Sequence, residues 1–383
     1  MKYKIIFISI ILYFILIGSC GLNPFTGHGD SQKIIVPSGY FPTIQKAIDW
    51  SSDGDTIVVL PGTYKENLNM KGKNVLLTSL YYENNDRNYI SETIIDGKQL
   101  WSVIVIDNGE SEQCVINGFT LKNGIGIKVQ NFNHRSGGAI YCRQSNPTLK
   151  NLFISNNSSN YGSAICLSDA NAIIENVIAS NNTSTVGTIF LSYSRPDISN
   201  VTVTENNGQG MILYDCSDLS IQNMFITKNS SVGVTVATCY SIILEKMIVA
   251  ENQNTGFSLG GGEIKVLNST CVNNSEGISV NGDARVENSI LFNLSKKEVR
   301  ISQEMSGYSS IVIQYSNVKN GPDCFRISGF PDYIWTKYDS TNFSTDPKFC
   351  DPENSNYHIS ATSPCVDGGE NGNIVGALGV GCD

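Results

Sequence analysis

The 383-residue chain contains no Asp-Asp pair and no CxxC, and its only imidazoles are His28, His134 and His358. That donor set offers no ligand series for zinc, so no metal site is expected. Charged residues are scarce, at 16 %, and the 26 basic residues are outnumbered by 35 acidic ones and do not cluster. Nucleic acid and anionic surfaces demand clustered Lys and Arg, so neither is an expected partner. The longest apolar stretch, residues 5–17, is thirteen residues, too short for an ordinary membrane-spanning helix.

That stretch follows Met1-Lys2-Tyr3-Lys4 and ends in Gly18-Ser19-Cys20. A basic start, a short apolar run and small residues before a cleavage point describe an export signal over residues 1–19. Ile17-Gly18-Ser19-Cys20 resembles the lipobox of bacterial lipoproteins, which implies cleavage before Cys20 and acylation of that residue. Several acyl chains then hold the protein to a bilayer, because one alone binds only marginally. Residue 21 is glycine, not aspartate, and the resemblance then implies an outer-membrane or cell-surface location. Leaving out Lys2 and Lys4 with the signal takes the basic residues to 24 against 35 acidic, a net charge of −11. Residues 20–33 are polar and rich in turn formers, and read as a tether.

From Gly138 the chain repeats one unit. Coils open at Gly138, Gly162, Gly187, Gly210, Gly233, Gly256 and Gly277, at intervals of 24, 25, 23, 23, 23 and 21 residues. Each unit holds short alternating apolar stretches, as in Asn151-Leu152-Phe153-Ile154-Ser155 and Asn176-Val177-Ile178-Ala179-Ser180. No unit buries its apolar face alone, so the coils must stack as parallel rungs around a shared core. The expected fold is all-β, a single right-handed parallel β-helix over residues 34–320, and a monomer.

Two asparagine columns accompany the period. One precedes the last strand of the coil: Asn151, Asn176, Asn200 and Asn223, then Asn268 and Asn288, with Lys246 interrupting. The other follows it: Asn156, Asn181, Asn206, Asn229, Asn252, Asn273 and Asn293. Asparagine tolerates the left-handed bend between strands, and inward members of a column can satisfy one another's amides. Both columns are read as architecture.

Residues 43–50 place apolar side chains at 44, 47 and 48, a helical spacing, with Thr43 as cap. Thr43-Ile44-Gln45-Lys46-Ala47-Ile48, Gly54-Asp55-Thr56-Ile57 and Pro61-Gly62-Thr63-Tyr64 resemble the opening of pectate-lyase-like β-helix proteins. The resemblance implies a short helix closing the N-terminal end. After Asn320 the period fails. Asp346-Pro347, Ser363-Pro364-Cys365 and Gly376-Ala377-Leu378-Gly379 resemble the tail of secreted bacterial β-helix proteins, and residues 321–383 are expected to form an end cap. Cys324, Cys350, Cys365 and Cys382 fall in this segment, where an exported protein is expected to form two bridges of open connectivity. The coil cysteines Cys114, Cys142, Cys166, Cys216, Cys239 and Cys271 read as small buried hydrophobes.

Chemistry is thinner. The lyases this fold resembles use calcium held by aspartates with an Arg or Lys base, and their hydrolytic relatives use neighbouring aspartates. No coil repeats an acidic cluster with a basic partner in register. The candidates are Arg135, Arg143, Asp169, Arg195 and Asp197 along one face, with Asp215 and Asp218 the one calcium reading. Tyr81, Tyr82, Tyr89 and Trp101, and Tyr333, Trp335 and Tyr338, are candidates for stacking on sugar rings. Uncharged Asn, Ser and Thr dominate the polar positions, so the expectation is a non-catalytic module binding polysaccharide or surface glycans. The alternative is a polysaccharide lyase or glycoside hydrolase working on the lateral face.

Overall fold

A computed structural model describes residues 31–129, 134–303 and 307–383. Cys20, the signal and most of the tether lie outside the described residues. The unit from Lys33 to Asp383 is a right-handed parallel β-helix, as the repeat predicts.

One coil shows how the sequence builds it. A front strand, Ile140–Arg143, leads through a corner into Thr148–Ser155, which bends at Asn151 into two flat halves. Each strand pairs in parallel with its equivalents in the coils before and after. Stacking sets like on like: Ile140, Ile165, Ile189, Met211, Val234, Phe257, Ile278 and Val299 form one inward column. All eight are buried, each contributing about 1.5–3 kcal/mol relative to exposure.

The corners use left-handed residues. Asn151, Asn176, Asn200, Asn223, Lys246, Asn268 and Asn288 all have φ between 48° and 56°. The second asparagine column is two columns interleaved, which corrects the sequence reading. The left-handed position after the third strand is held by Asn156, Asn181, Glu205, Lys228, Glu251 and Asn273. The next residue points inward, Asn157, Asn182, Asn206, Asn229, Asn252 and Asn274, and Asn293 after Phe292 continues the column, all buried. Each side-chain amide donates to the oxygen of the amide one coil on, at 2.8–3.1 Å. The backbone N–H of each donates to the same oxygen. The ladder is therefore directional, and it needs a pure acceptor at its far end. The carboxylate of Glu298, fully buried, is that acceptor.

The N-terminal end is closed by the helix Ile44–Trp50, with Ile44, Ala47 and Ile48 buried. Thr43 Oγ1 accepts from Lys46 N at 3.2 Å, and Glu66 from the coil above accepts the N–H groups of Ile44 and Gln45. Between the early coils lie two short helices, Tyr81–Asn84 and Asn88–Glu92.

The C-terminal segment departs from expectation. Its last part does not sit over the end of the solenoid but lies along its side. Tyr357, Phe349, Ala377 and Leu378 pack on Ile248, Ala250, Val272 and Phe292, outward residues of the third strands. Tyr357 Oη donates to Glu251 at 2.5 Å, and Ala377 N to Thr270 Oγ1 at 3.0 Å. Cys350 and Cys382 are bridged, whereas Cys324 and Cys365 are buried thiols. A second bridge is sterically remote, since Cys324 belongs to the main core and Cys365 to a separate lateral cluster.

Candidate functional site

The front strands expose a second, outward column, in register one coil apart: Val105, Tyr141, Cys166, Phe190, Ile212, Thr235, Ser258, Ser279, Arg300 and Arg326. Successive members are about 4.8 Å apart. Its middle is roofed by the return loops. Tyr161 meets Phe190 edge-on at 5.0 Å, and the His134 ring lies tilted against Tyr161 at 4.6 Å. Cys166 is buried there, and burial pushes its thiol up to about 12, so it is no nucleophile at neutral pH.

At the N-terminal end of this column, three polar groups meet. Tyr141 and Arg143 are two apart on one strand and so share a face. Ile106 pairs with Cys142, which places Asp107 one coil below Arg143. Asp107 and Arg143 are exposed, while Tyr141 keeps only 5 % of its surface. Burial first, then the Glu110 charge, raises the Asp107 carboxyl, and Arg143 partly offsets this. Burial likewise raises the Tyr141 phenol, with Arg143 opposing by charge and hydrogen bond. Glu110 itself is locked: its carboxylate accepts from Gly72 N, Asn108 N and Ser145 Oγ at 2.8–2.9 Å.

The other charged candidates do not converge on this point. Arg135 donates to the carbonyls of Gly126 and Leu100 and lies over the Trp101 ring at 5.8 Å, on the loop edge. Arg195 pairs with Asp218 at 3.1 Å at the opposite corner, near Asp197 on its outward strand face. Asp169 occupies the left-handed corner position one coil above Gln144. Asp215 is engaged by the Tyr193 hydroxyl, so Asp215 and Asp218 face different partners, and among the described residues no three potential ligands gather.

The aromatic candidates also redistribute. Tyr81, Tyr82 and Tyr89 belong to the two short helices, which pack against the strand Val115–Lys122, away from the front face. Tyr333 and Trp335 belong to the last coil, where Tyr338 packs against the core. The front strands instead carry Tyr214, 42 % exposed, with Tyr193 at the left-handed corner one coil before it, 60 % exposed, while Tyr240 lies past the corner in register with Ser217. Described cavities lie elsewhere: about 280 Å³ beside Lys65, Asp96 and Lys98, and about 560 Å³ between residues 372–379 and Glu245, Lys246 and Asn268. The Asp107–Tyr141–Arg143 group is an open surface of the kind a polymer can lie across.

Among known families, the one described as right handed beta helix region matches residues 138–295. No curated protein matches the chain. Solved structures share the fold at low identity. The A-module of a mannuronan C-5 epimerase of Azotobacter vinelandii is 13 % identical, with 79 % of this chain and 94 % of that one covered and a TM-score of 0.45. A periplasmic alginate epimerase is 13 % identical, covering 82 % and 85 %, TM-score 0.45. A pectate lyase is 14 % identical, covering 93 % and 98 %, TM-score 0.41. These likenesses are to the fold. All three are epimerases or lyases, and the expectation of a non-catalytic module is withdrawn.

Proposed function

We propose that the chain is a polysaccharide lyase or epimerase acting at the front face, on a polymer of uronic acids. The observation that carries the reading is the grouping of Asp107, Tyr141 and Arg143 on adjacent coils. In this reading Arg143 pairs with the sugar carboxylate, drawing charge from the adjacent C-5 and acidifying its proton. Asp107, whose proton affinity burial has raised toward the working range of a base, takes that proton. Tyr141, held protonated by burial, gives its proton to the departing O-4 as the C-4 to oxygen bond breaks and a C-4 to C-5 double bond forms. Return of a proton to C-5 from the opposite face would give epimerisation instead. Tyr193 and Tyr214 are rings on which neighbouring sugars stack.

Hydrolysis is the less supported reading. It needs two carboxylates converging on one bond, and Glu110, the carboxylate that acts on Asp107, is buried and held by three donors. The test is incubation with pectic, alginate and glycosaminoglycan polymers. Absorbance from unsaturated ends reports a lyase, inversion at C-5 by NMR reports an epimerase, and reducing ends without unsaturation report a hydrolase. Tyr141→Phe and Asp107→Asn should each lower turnover by about 10²–10⁴-fold. Full activity in both folded variants, or no turnover on any uronate, sinks the assignment.

The same reading includes anchoring. An exported enzyme held by acyl chains on Cys20, through the tether of residues 20–33, would work at the outer membrane or cell surface where such polymers are met.

A further inference from the structure

The two ends of the solenoid differ. At the N-terminal end, a helix covers the first coils. At the other end, among the described residues, the strands Phe325–Gly329 and Ile334–Tyr338 are each paired on one side only, with Val299–Gln303 and Ser309–Gln314. Only the third side of the last coil is continued, by Val318 N to Phe343 O and Asn317 Nδ2 to Thr345 O, both at 2.9 Å. The tail runs along the flank, and among the described residues the other two edges are uncovered.

The core is open there as well. Ile327 is in register with buried Ile301, so it points inward, yet it is 50 % exposed because no coil lies above it. Phe330, Tyr333 and Trp335, on the same last coil, are 67 %, 47 % and 55 % exposed. An uncovered strand edge beside exposed apolar side chains is a template for pairing, and repeat proteins ordinarily close such ends.

We propose that this end is a self-association surface, on which a second copy of the chain docks end to end about a two-fold axis. The occupant must bring both strand edges and apolar side chains. The same end of another copy brings both in matching places, whereas the helix-covered end does not. Contact is therefore isologous and closes at two copies. A two-fold axis perpendicular to the solenoid runs an edge strand antiparallel to an edge strand of the second copy. Four side chains about half exposed and two five-residue edges offer about 600 Å² per copy, or about 1,200 Å² in all, the lower end of specific interfaces.

The test is sedimentation equilibrium of residues 33–383, which form a unit with their own core. A concentration-dependent monomer–dimer equilibrium is expected. Phe330→Asp and Trp335→Glu, both exposed and outside the core, should shift it at least tenfold toward monomer with circular dichroism and melting unchanged. The proposal is overturned by a monomer at every concentration, by assembly that continues past two copies, or by a dimer that both variants leave intact.

Discussion

Asn293 donates its side-chain amide to the buried carboxylate of Glu298 at 2.8 Å, and its backbone N–H to the other carboxylate oxygen at 3.0 Å. Seven asparagines, each passing its donors to the next coil, thus end on a group that only accepts. Burial raises the Glu298 carboxyl, while the Asn293 bonds and Lys319 oppose the shift. With a folded value above the unfolded one, the folded state holds this proton to higher pH. The burial penalty is absent below the ordinary glutamate value of about 4.3 and grows as pH rises through the folded value. Wild type should therefore gain stability relative to Glu298→Gln, which does not titrate, as pH falls through that window. Urea midpoints of the two proteins measured across it check this, and a difference that is flat or opposite in slope contradicts it.

A rung in the middle of the ladder should cost more than a corner residue. Asn229→Ala takes away the oxygen that accepts both the backbone N–H and the amide of Asn206; the amide keeps the carbonyls of Ala179 and Thr204, so the stranded N–H alone should cost about 1–3 kcal/mol. Asn200→Gly keeps the left-handed corner at φ 54° and exposes nothing new, so it should stay within about 1 kcal/mol of wild type. Equal losses in chemical denaturation would argue against the inward column as the stabilising one.

Breaking the tail bridge should act locally. Cys350→Ser with Cys382→Ser should loosen the flank around Tyr357 while the coils keep their protection, although such losses run to about 2–5 kcal/mol in small domains. Hydrogen exchange resolves the two regions. Non-reducing peptide mapping should find 350 linked to 382, with Cys324 and Cys365 alkylated only after unfolding.

Cys20→Ala should abolish acylation and release the protein from the membrane fraction. Retention of that variant, in fractionation with acyl labelling, would remove the anchor from the proposed function.

The solenoid could be read from glycine spacing because stacking forces each coil to repeat its neighbour. The inward asparagine was harder to place, since Asn156-Asn157, Asn181-Asn182 and Asn273-Asn274 are doublets and either member fits the bend. Glu205, Lys228 and Glu251 carry the missing signal: where the corner residue is charged, the single asparagine after it must be the inward one. The front-face group was missed for another reason. Asp107 lies in a coil that spans 36 residues from Ile104 to Ile140, so the regular period never aligns it with Arg143. Tyr141, in an apolar strand, reads as packing. The spaced pairs Val105-Ile106-Asp107 and Tyr141-Cys142-Arg143 were the available clue.

A directional ladder also restricts how such a chain can change length. Inserting or losing a single residue inside a coil would turn the inward amide outward and leave its neighbour's donors facing apolar side chains. Removing a whole coil does not: excising residues 206–228 would join Glu205 to Asn229, again a charged corner followed by an inward amide. Variation in the length of this molecule should come in steps of one full turn, with every shorter change confined to the outer loops.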